Sequence, residues 1–232
     1  MSPMTGAGSS RGGPMKVGII GAGNIGGNLA RRLTGLGHTV SIANSRGPGT
    51  LVELAAGTGA QAVEVTRAAQ GADLVIVTIP EKSIPALPHG VLDGTAGGAP
   101  VVDTGNYYPR RDGRIAAIED GMAESRWVEQ QLGHPVIKAF NNIYAQHLLD
   151  HNLPAGTPGR IALPVAGDDG AAKSIVLKLV DQLGFDPVDA GGLDESWRQQ
   201  PGTPVYASDF DAEGVRRALE EASPVRPEAF RA

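Results

Sequence analysis

Residues 15–26 read MKVGIIGAGNIG, an apolar run that leads into a glycine-rich segment. The run 15–20 predicts a buried strand, and a helix is predicted after the glycines, since Ile25, Leu29 and Leu33 recur at helical spacing. A strand, a G-x-G-x-x-G turn and a helix, in that order, are typical of the first unit of a dinucleotide-binding sheet. This stretch therefore predicts an α/β fold with a nucleotide at the helix N-terminus.

The residues of this glycine loop have separate expected roles. Gly21 permits the tight turn, Gly23 lets the backbone approach a pyrophosphate, and Gly26 lets the helix pack closely on the strand. Asn24 and Ile25 lie between these glycines in the same turn. We expect all five residues to contact the cofactor.

The residues after the second predicted strand, 38–43, indicate which dinucleotide is bound. NAD sites normally carry an acidic residue there, which accepts hydrogen bonds from the adenosine ribose. In this chain Asn44, Ser45 and Arg46 follow the strand, and the next acidic residue is Glu53. An arginine fork supported by neutral donors suits a phosphate, whereas a carboxylate would repel it. The sequence predicts NADP rather than NAD.

Composition excludes several classes of function. The 232 residues carry a formal net charge of −5, with a pI near 5.5, which gives no sign of binding to nucleic acid or to a membrane surface. There is no cysteine, so disulfides and thiolate metal ligands are excluded, as is typical of a cytoplasmic protein. The five histidines are interpreted as surface or capping residues, and no metal site is expected. No apolar stretch reaches the roughly 20 residues that span a bilayer.

Strand and helix patterns alternate along the chain and favour a parallel sheet. We expect a doubly wound α/β domain of Rossmann type, with a mainly parallel sheet, helices on both faces and a small C-terminal extension. Residues 1–14 are expected to be a flexible tail, residues 15–190 the NADP-binding domain, and residues 191–232 a C-terminal segment that covers the acceptor site. After the first two strands, further strands are predicted at 61–63, 72–78, 100–103, 135–139, 160–166 and 186–189.

Residues that follow predicted strands are further candidate contacts, because ligands bind outside the carboxyl ends of strands in open α/β sheets. Thr78, Ile79 and Pro80 end the strand 72–78, and we expect them to face the ribose and the nicotinamide. Asn106 lies in the loop after the strand 100–103 and is also expected to contact the cofactor.

Taken together, these segments resemble the coenzyme F-420 (F420)-dependent NADP oxidoreductases and the short bacterial reductases around them, and are similar to the NADPH-binding domain of the STEAP-type metalloreductases. The resemblance runs from Lys16 to about Ala190. It rests on residues 21–26, Ser45-Arg46, Thr78-Ile79-Pro80, Lys138-Ala139-Phe140-Asn141 and 165–169. It implies that the Ser-Arg pair holds the 2′-phosphate, and that Ala139, Phe140 and Asn141 lie near the nicotinamide and the hydride acceptor.

Beyond Ala190 the resemblance ends, so the acceptor is left open. Three functions compete: hydride transfer between NADPH and a flavin or an F-420-like deazaflavin, reduction of a small carbonyl or imine, and non-catalytic binding of NADPH by a sensor or subunit. No acid–base pair is recognisable by spacing. This absence favours the first function, because a ring acceptor spreads the charge and needs no dedicated proton donor.

A carbonyl or imine acceptor would instead need a proton donor. The candidates are Tyr107, Tyr108, Lys138 and Tyr144, and no spacing among them assigns the role to one residue.

The expected partners are a small-molecule acceptor and a second copy of this chain. The homodimer is expected because a short C-terminal segment would bury Trp197, Val205 and Tyr206 poorly on its own.

Overall fold

The computed structural model describes residues 13–232, and its centre is a six-stranded parallel sheet. The strands are β1 (Lys16–Ile20), β2 (Thr39–Ala43), β3 (Gln61–Ala62), β4 (Leu74–Val77), β5 (Val101–Asp103) and β6 (Ile137–Lys138). They pair in the order β3-β2-β1-β4-β5-β6, so the chain winds to one edge and then returns past β1 to the other. The predicted doubly wound α/β fold is confirmed, with its switch point between β1 and β4.

Eight α-helices lie within residues 13–232. They are α1 (Asn24–Gly35), α2 (Val52–Thr58), α3 (Pro109–Asp112), α4 (Ala116–Glu119), α5 (Glu124–Leu132), α6 (Ala145–Asp150), α7 (Gly170–Gln182) and α8 (Ala212–Glu220). None of these helices is long and apolar enough to cross a membrane.

Two hydrophobic cores form because successive side chains of a strand point to opposite faces of the sheet. In β1, Val17 and Ile19 face the core that α1 and α7 cover. Ile20 faces the other core, which α4 and α5 cover. The strand β4 alternates between the same two cores, so the central strands are buried on both sides.

A second parallel pair extends the sheet beyond β6. It consists of β7 (Ala162–Val165) and β8 (Asp186–Asp189). Lys138 and Ala166 exchange two backbone hydrogen bonds, of 2.8 and 3.0 Å, in an antiparallel bridge. All eight predicted strands are present, most of them shorter than predicted. The predicted strand 135–139 keeps only two residues.

The C-terminal segment packs onto this second pair of strands. Val205 is fully buried in a small core with Val188 of β8 and Val215 of α8, and Trp197 and Tyr206 are half-buried within the same chain. Val205 is therefore buried without a second copy, whereas Trp197 and Tyr206 stay partly exposed, and the homodimer stays a prediction. Of the predicted flexible tail 1–14, residues 1–12 lie outside the described part of the chain.

Backbone packing against β1 leads to a stability prediction. A Cβ on Gly18 would lie under 3.0 Å from the carbonyl oxygen of Ala68, which is backbone and cannot swing away. We expect Gly18→Ala to lower the free energy of unfolding by about 2 kcal/mol, as overpacked sites do. Gly35→Ala is the matched control, because Gly35 ends α1 with nothing within 4 Å. It should stabilise by up to about 1 kcal/mol through helix propensity. Urea unfolding of both variants tests this, and equal effects would contradict it.

Candidate active site

The glycine loop between β1 and α1 is held against the end of β4 so closely that side chains are excluded. Gly21 has a φ of 118°, which residues with side chains rarely adopt. A Cβ on Gly21 would lie under 3.0 Å from the carbonyl oxygen of Thr78. A Cβ on Gly26 would lie equally close to the carbonyl oxygen of Gly21. These contacts agree with the tight-turn and close-packing roles predicted for the two glycines.

Gly23 faces open space instead, since nothing lies within 4 Å of the position of a Cβ there. It is the N-cap of α1, and this helix has no side-chain cap and no acidic residue in its first turn. Two other helices are capped by aspartate: Asp169 accepts from two backbone amides of α7, and Asp211 accepts from one of α8. The N-terminus of α1 therefore presents uncapped N–H groups to an open cradle, as phosphate sites do.

At the tip after β2, the side chain of Asn44 is used to shape the turn. Its Oδ1 accepts from the backbone amide of Arg46 at 3.0 Å, and its Nδ2 donates to the Thr50 hydroxyl at 3.0 Å. Asn44 thus shapes the turn, and its role as a neutral donor to the cofactor stays a prediction. Ser45 and Arg46 are exposed. Within residues 13–232 the Arg46 guanidinium forms no ion pair, so its fork of donors is available to a ligand.

One carboxylate that the sequence analysis missed approaches this tip from β3. Glu64 follows that strand, and its Oε1 lies 3.8 Å from the position of a Cβ on Gly47. The acidic residue of an NAD site ends β2 itself. Glu64 follows the next strand and has no fixed spacing from the end of β2, so no sequence motif places it at this tip.

The predicted contacts that follow β4 and β6 lie at the carboxyl edge of the sheet. Thr78, Ile79 and Pro80 are half-buried there. Ala139 and Phe140 are fully buried, and Phe140 has a φ of 61°, which is uncommon for a residue with a side chain. The side chains of Ala139 and Phe140 point into the protein, so these two residues can offer a ligand only their backbone groups.

Asn106 and Asn141, predicted from different strands, are joined by two hydrogen bonds. The side-chain amide of Asn106 donates to the Asn141 carbonyl at 2.9 Å, and that of Asn141 donates to Oδ1 of Asn106 at 3.0 Å. Gln199 of the C-terminal segment completes this amide cluster, because its Nε2 donates to Oδ1 of Asn141 at 2.9 Å. The sequence analysis missed Gln199. The neighbouring Asn142 is buried, and neither Nδ2 nor Oδ1 of its side chain has a hydrogen-bond partner within residues 13–232.

Tyr107 is buried and its hydroxyl is already engaged, which argues against it as a proton donor. The hydroxyl donates to the Gly113 carbonyl at 3.0 Å and accepts from the Ile115 amide at 3.2 Å. Burial raises the pKa of Tyr107. Through these two hydrogen bonds, Tyr107 holds the loop after β5 against residues 113–115.

Tyr108 is half-buried and pairs with a tyrosine that lies far away in the sequence. Its hydroxyl is hydrogen-bonded to that of Tyr206, and the Arg111 guanidinium stands 4.9 Å from the centre of its ring. Burial and the bond to Tyr206 raise the pKa of Tyr108. Tyr144, the last predicted candidate, lies apart from this pair, 52% exposed at the start of α6 and against His147.

Lys138 is fully buried beneath the site, where it forms an ion pair. Its Nζ lies 3.1 Å from Oδ2 of Asp103 and donates to the Gly105 carbonyl at 2.6 Å. The hydroxyl of Ser125 donates to the same Asp103 oxygen at 2.7 Å. The ammonium therefore holds the ends of β5 and β6 together, which argues for a positioning role rather than proton donation.

Two buried glutamates and two arginines complete this ionic cluster. Arg111 lies 3.1 Å from Glu81, and Arg226 lies 2.8 Å from Glu124. Glu81 and Glu124 are both fully buried. Oε1 of Glu81 has no hydrogen-bond partner within the described residues. The sequence did not predict this cluster, because its residues come from separate elements and have no motif spacing.

Burial and mutual repulsion change the charges in the ionic cluster. Burial, with the negative charges of Glu124 and Asp103, raises the pKa of Glu81 well above its usual value, and burial also raises that of Glu124. For Lys138, burial alone would lower the pKa, but the carboxylates of Asp103, Glu124 and Glu81 outweigh it and the pKa is raised. The environment thus favours the protonated form of Glu81 more than water does, and it keeps Lys138 charged.

This raised pKa predicts how stability depends on pH. Above the usual pKa of a glutamate, the unfolded chain releases the Glu81 proton while the folded protein keeps it, so stability falls as pH rises toward the folded pKa. Glu81→Gln removes this titration. We expect the fall in Tm with rising pH, above about pH 5, to be smaller in this variant than in the parent. Glu53→Gln changes an exposed acid and serves as the control. The same fall in both variants and the parent would contradict the assignment.

Comparison with known proteins places these features in a family. Residues 16–107 match the model of the family described as NADP oxidoreductase, coenzyme F420-dependent. A stretch of 73 residues is 53% identical to the protein YjhV of Escherichia coli (strain K12), and covers 31% of this chain. That match spans about half, 53%, of the length of YjhV.

Two solved structures align over most of the chain. Protein SMa0349 from Sinorhizobium meliloti is 33% identical, with a TM-score of 0.71, over 85% of this chain and 95% of that one. A protein from Arthrobacter sp. FB24, named as an F420-dependent NADP-reductase, is 26% identical with a TM-score of 0.63, over 77% of this chain and 86% of that one. The glycine cradle, the uncapped α1 and the Ser-Arg tip lie within the matched region. The chain therefore belongs to the family of coenzyme F420-dependent NADP oxidoreductases.

Proposed function

We propose that this protein transfers a hydride between NADP(H) and a flavin or deazaflavin acceptor such as F420. The observation that carries the proposal is the open cradle over Gly23, which lies between two close-packed glycines and at an uncapped helix N-terminus. NADPH supplies a hydride with its electron pair, and the acceptor gains that hydride and one proton from solvent. The protein's own task is to hold the two rings close together and to exclude water.

Selectivity for NADP is assigned to Ser45 and Arg46. Both side chains are exposed beyond β2, and the backbone turn that presents them is fixed by the side chain of Asn44. A guanidinium offers paired donors to phosphate oxygens. We therefore place the 2′-phosphate against these two residues, with the pyrophosphate at Gly23 and the first turn of α1.

The state of the predicted proton donors supports a ring acceptor. Tyr107 and Lys138 are buried, with their donors already engaged in holding the loop and the strand ends. A deazaflavin or flavin spreads the incoming charge over its rings, so hydride transfer to it needs no side-chain acid. Tyr144, the N-cap of α6, is 52% exposed, and its ring packs against His147.

We propose that the C-terminal segment lines one side of the acceptor site. Gln199 is hydrogen-bonded to Asn141, and Tyr206 is hydrogen-bonded to Tyr108. Both contacts join this segment to loops at the carboxyl edge of the sheet, where ligands of open α/β sheets bind.

A second candidate function is reduction of a small carbonyl or imine, with Tyr108 as the acid. The hydroxyl pair of Tyr108 and Tyr206 favours it, since Tyr108 is half-buried and Tyr206 could resupply its proton. A general acid typically contributes about 100-fold or more to the rate.

Arg46→Ala tests the assignment of the cofactor. Loss of a charge-assisted hydrogen bond to phosphate should raise the Kd for NADPH by about 10- to 100-fold, and should leave the Kd for NADH within about twofold. Fluorescence titration with both nucleotides measures this. Arg216→Ala is the control, because Arg216 is an exposed arginine on α8, a helix that packs on β7 and β8 and not on the tip after β2. An equal rise in Kd for NADPH and NADH would show that Arg46 does not bind the 2′-phosphate.

Tyr108→Phe and Tyr206→Phe separate the candidate reactions. Anaerobic stopped-flow at 340 nm would follow NADPH oxidation by F420, with flavin mononucleotide and a cyclic imine as the other acceptors. For a deazaflavin acceptor we expect both variants to keep the parent rate within about threefold, because no acid is needed. A loss of about 100-fold in Tyr108→Phe with the imine alone would favour the second candidate. Tight NADPH binding without oxidation by any acceptor would indicate the non-catalytic alternative.

A further inference from the structure

Three side chains that metal ions favour meet on the outer side of α6. His147 and His151 are four residues apart on this helix and its C-cap, so they share one face. Asp209 comes from the C-terminal segment and reaches the same face. One ligand atom from each of the three lies within 4.8 Å of the others. Within residues 13–232, this is the group of three His, Asp or Glu side chains whose ligand atoms lie close enough together to hold one ion.

The two imidazoles are stacked face to face. Their ring centres are 4.0 Å apart and their planes differ by 9°. Nδ1 of His147 lies 2.9 Å from the Asp209 carboxylate. A simple ion pair would account for His147 and Asp209. His151 has a carboxylate neighbour of its own, since its Nε2 lies 3.6 Å from Oδ1 of Asp150, and its ring also lies against that of His147.

The backbone that carries Asp209 is fixed on both sides. Ala207 has a φ of 52°, and its amide donates to the Asn142 carbonyl at 2.8 Å. The Phe210 carbonyl accepts from the amide of Ala162 in β7 at 2.8 Å. Asp209 lies between these two anchors, so its approach to α6 is set by the fold and not by a free loop.

We propose that His147, His151 and Asp209 bind one divalent transition-metal ion of the Zn²⁺ class. Two imidazole nitrogens and a carboxylate oxygen suit such an ion, whereas Mg²⁺ and Ca²⁺ prefer oxygen ligands. Ligand atoms about 2.1 Å from a tetrahedral zinc are about 3.4 Å apart, so the three atoms must approach one another and the two rings must rotate out of their parallel stack to bind one ion. Three protein ligands leave the fourth position to water.

The ion would fasten the C-terminal segment to α6, because Asp209 and the two histidines come from different parts of the chain. A ligand that binds only the folded arrangement stabilises it by linkage. The site thus acts on the position of the segment that carries Gln199 and Tyr206. It does not depend on the identity of the hydride acceptor.

Titration of tag-free protein with Zn²⁺, and with Co²⁺ as a spectroscopic probe, tests this site. We expect one ion per chain, a rise in Tm with Zn²⁺, and the visible absorption of tetrahedral Co²⁺. His151→Gln and Asp209→Asn should each weaken Zn²⁺ binding at least about tenfold, whereas His89→Gln, an exposed histidine elsewhere, should not.

Three results would overturn the proposal: no saturable binding, binding that survives both ligand variants, or equal losses in His89→Gln. A simple ion pair predicts a different outcome. Asp209→Asn would then lower Tm without added metal, and neither His151→Gln nor Zn²⁺ would change it.

Discussion

The approach of Gly26 to the carbonyl oxygen of Gly21, with Gly21 itself against Thr78, is the constraint on which the rest of the site depends. A single Cβ at either glycine would collide with backbone. This contact brings the N-terminus of α1 onto the edge of the sheet, between β1 and β4, where the strand order reverses. The cradle at Gly23 follows from the same contact, because the open N–H groups must point outward once α1 is seated.

The fold was largely predictable because its determinants are local. An apolar run followed by three spaced glycines identifies β1, the turn and α1, and the buried runs identify the other strands. The predicted strand 186–189 has the bounds of β8. The strand 135–139 was overestimated: Pro135 has no amide to donate, and the chain turns sharply at Phe140.

The site was predictable only where a motif fixes the position. Gly21 and Gly26 pack as the motif predicts, and Arg46 is exposed at the tip after β2, where its contact with phosphate stays a prediction. The contacts between Gln199 and Asn141, and between Tyr206 and Tyr108, join residues 58 and 98 positions apart, and no pattern in the sequence encodes them. The pair His147 and His151 is a different case. Their four-residue spacing was visible in the sequence, but its meaning depends on Asp209, which only the fold brings near.

The ionic cluster shows how one buried layer links the site to the periphery. Lys138 ties the ends of β5 and β6 together, and its charge is balanced by Asp103. Glu81 and Glu124 each reach outward to an arginine, and Arg226 belongs to the C-terminal segment. Burial of so many ionisable groups is tolerated because each charge has a partner, and because the raised pKa of Glu81 lowers the cost of protonating it.

The turn at Phe140 combines backbone strain with a deeply anchored ring. A glycine there would relieve about 1 kcal/mol of left-handed strain, but it would leave a ring-sized void that costs about 3–5 kcal/mol. Burial of the Phe140 ring therefore outweighs the strain in its backbone, and the left-handed turn is retained. Its carbonyl and amide are consequently set before any ligand arrives. A ligand that binds at this edge would then need little ordering of the backbone, and more of the contact energy would remain for affinity.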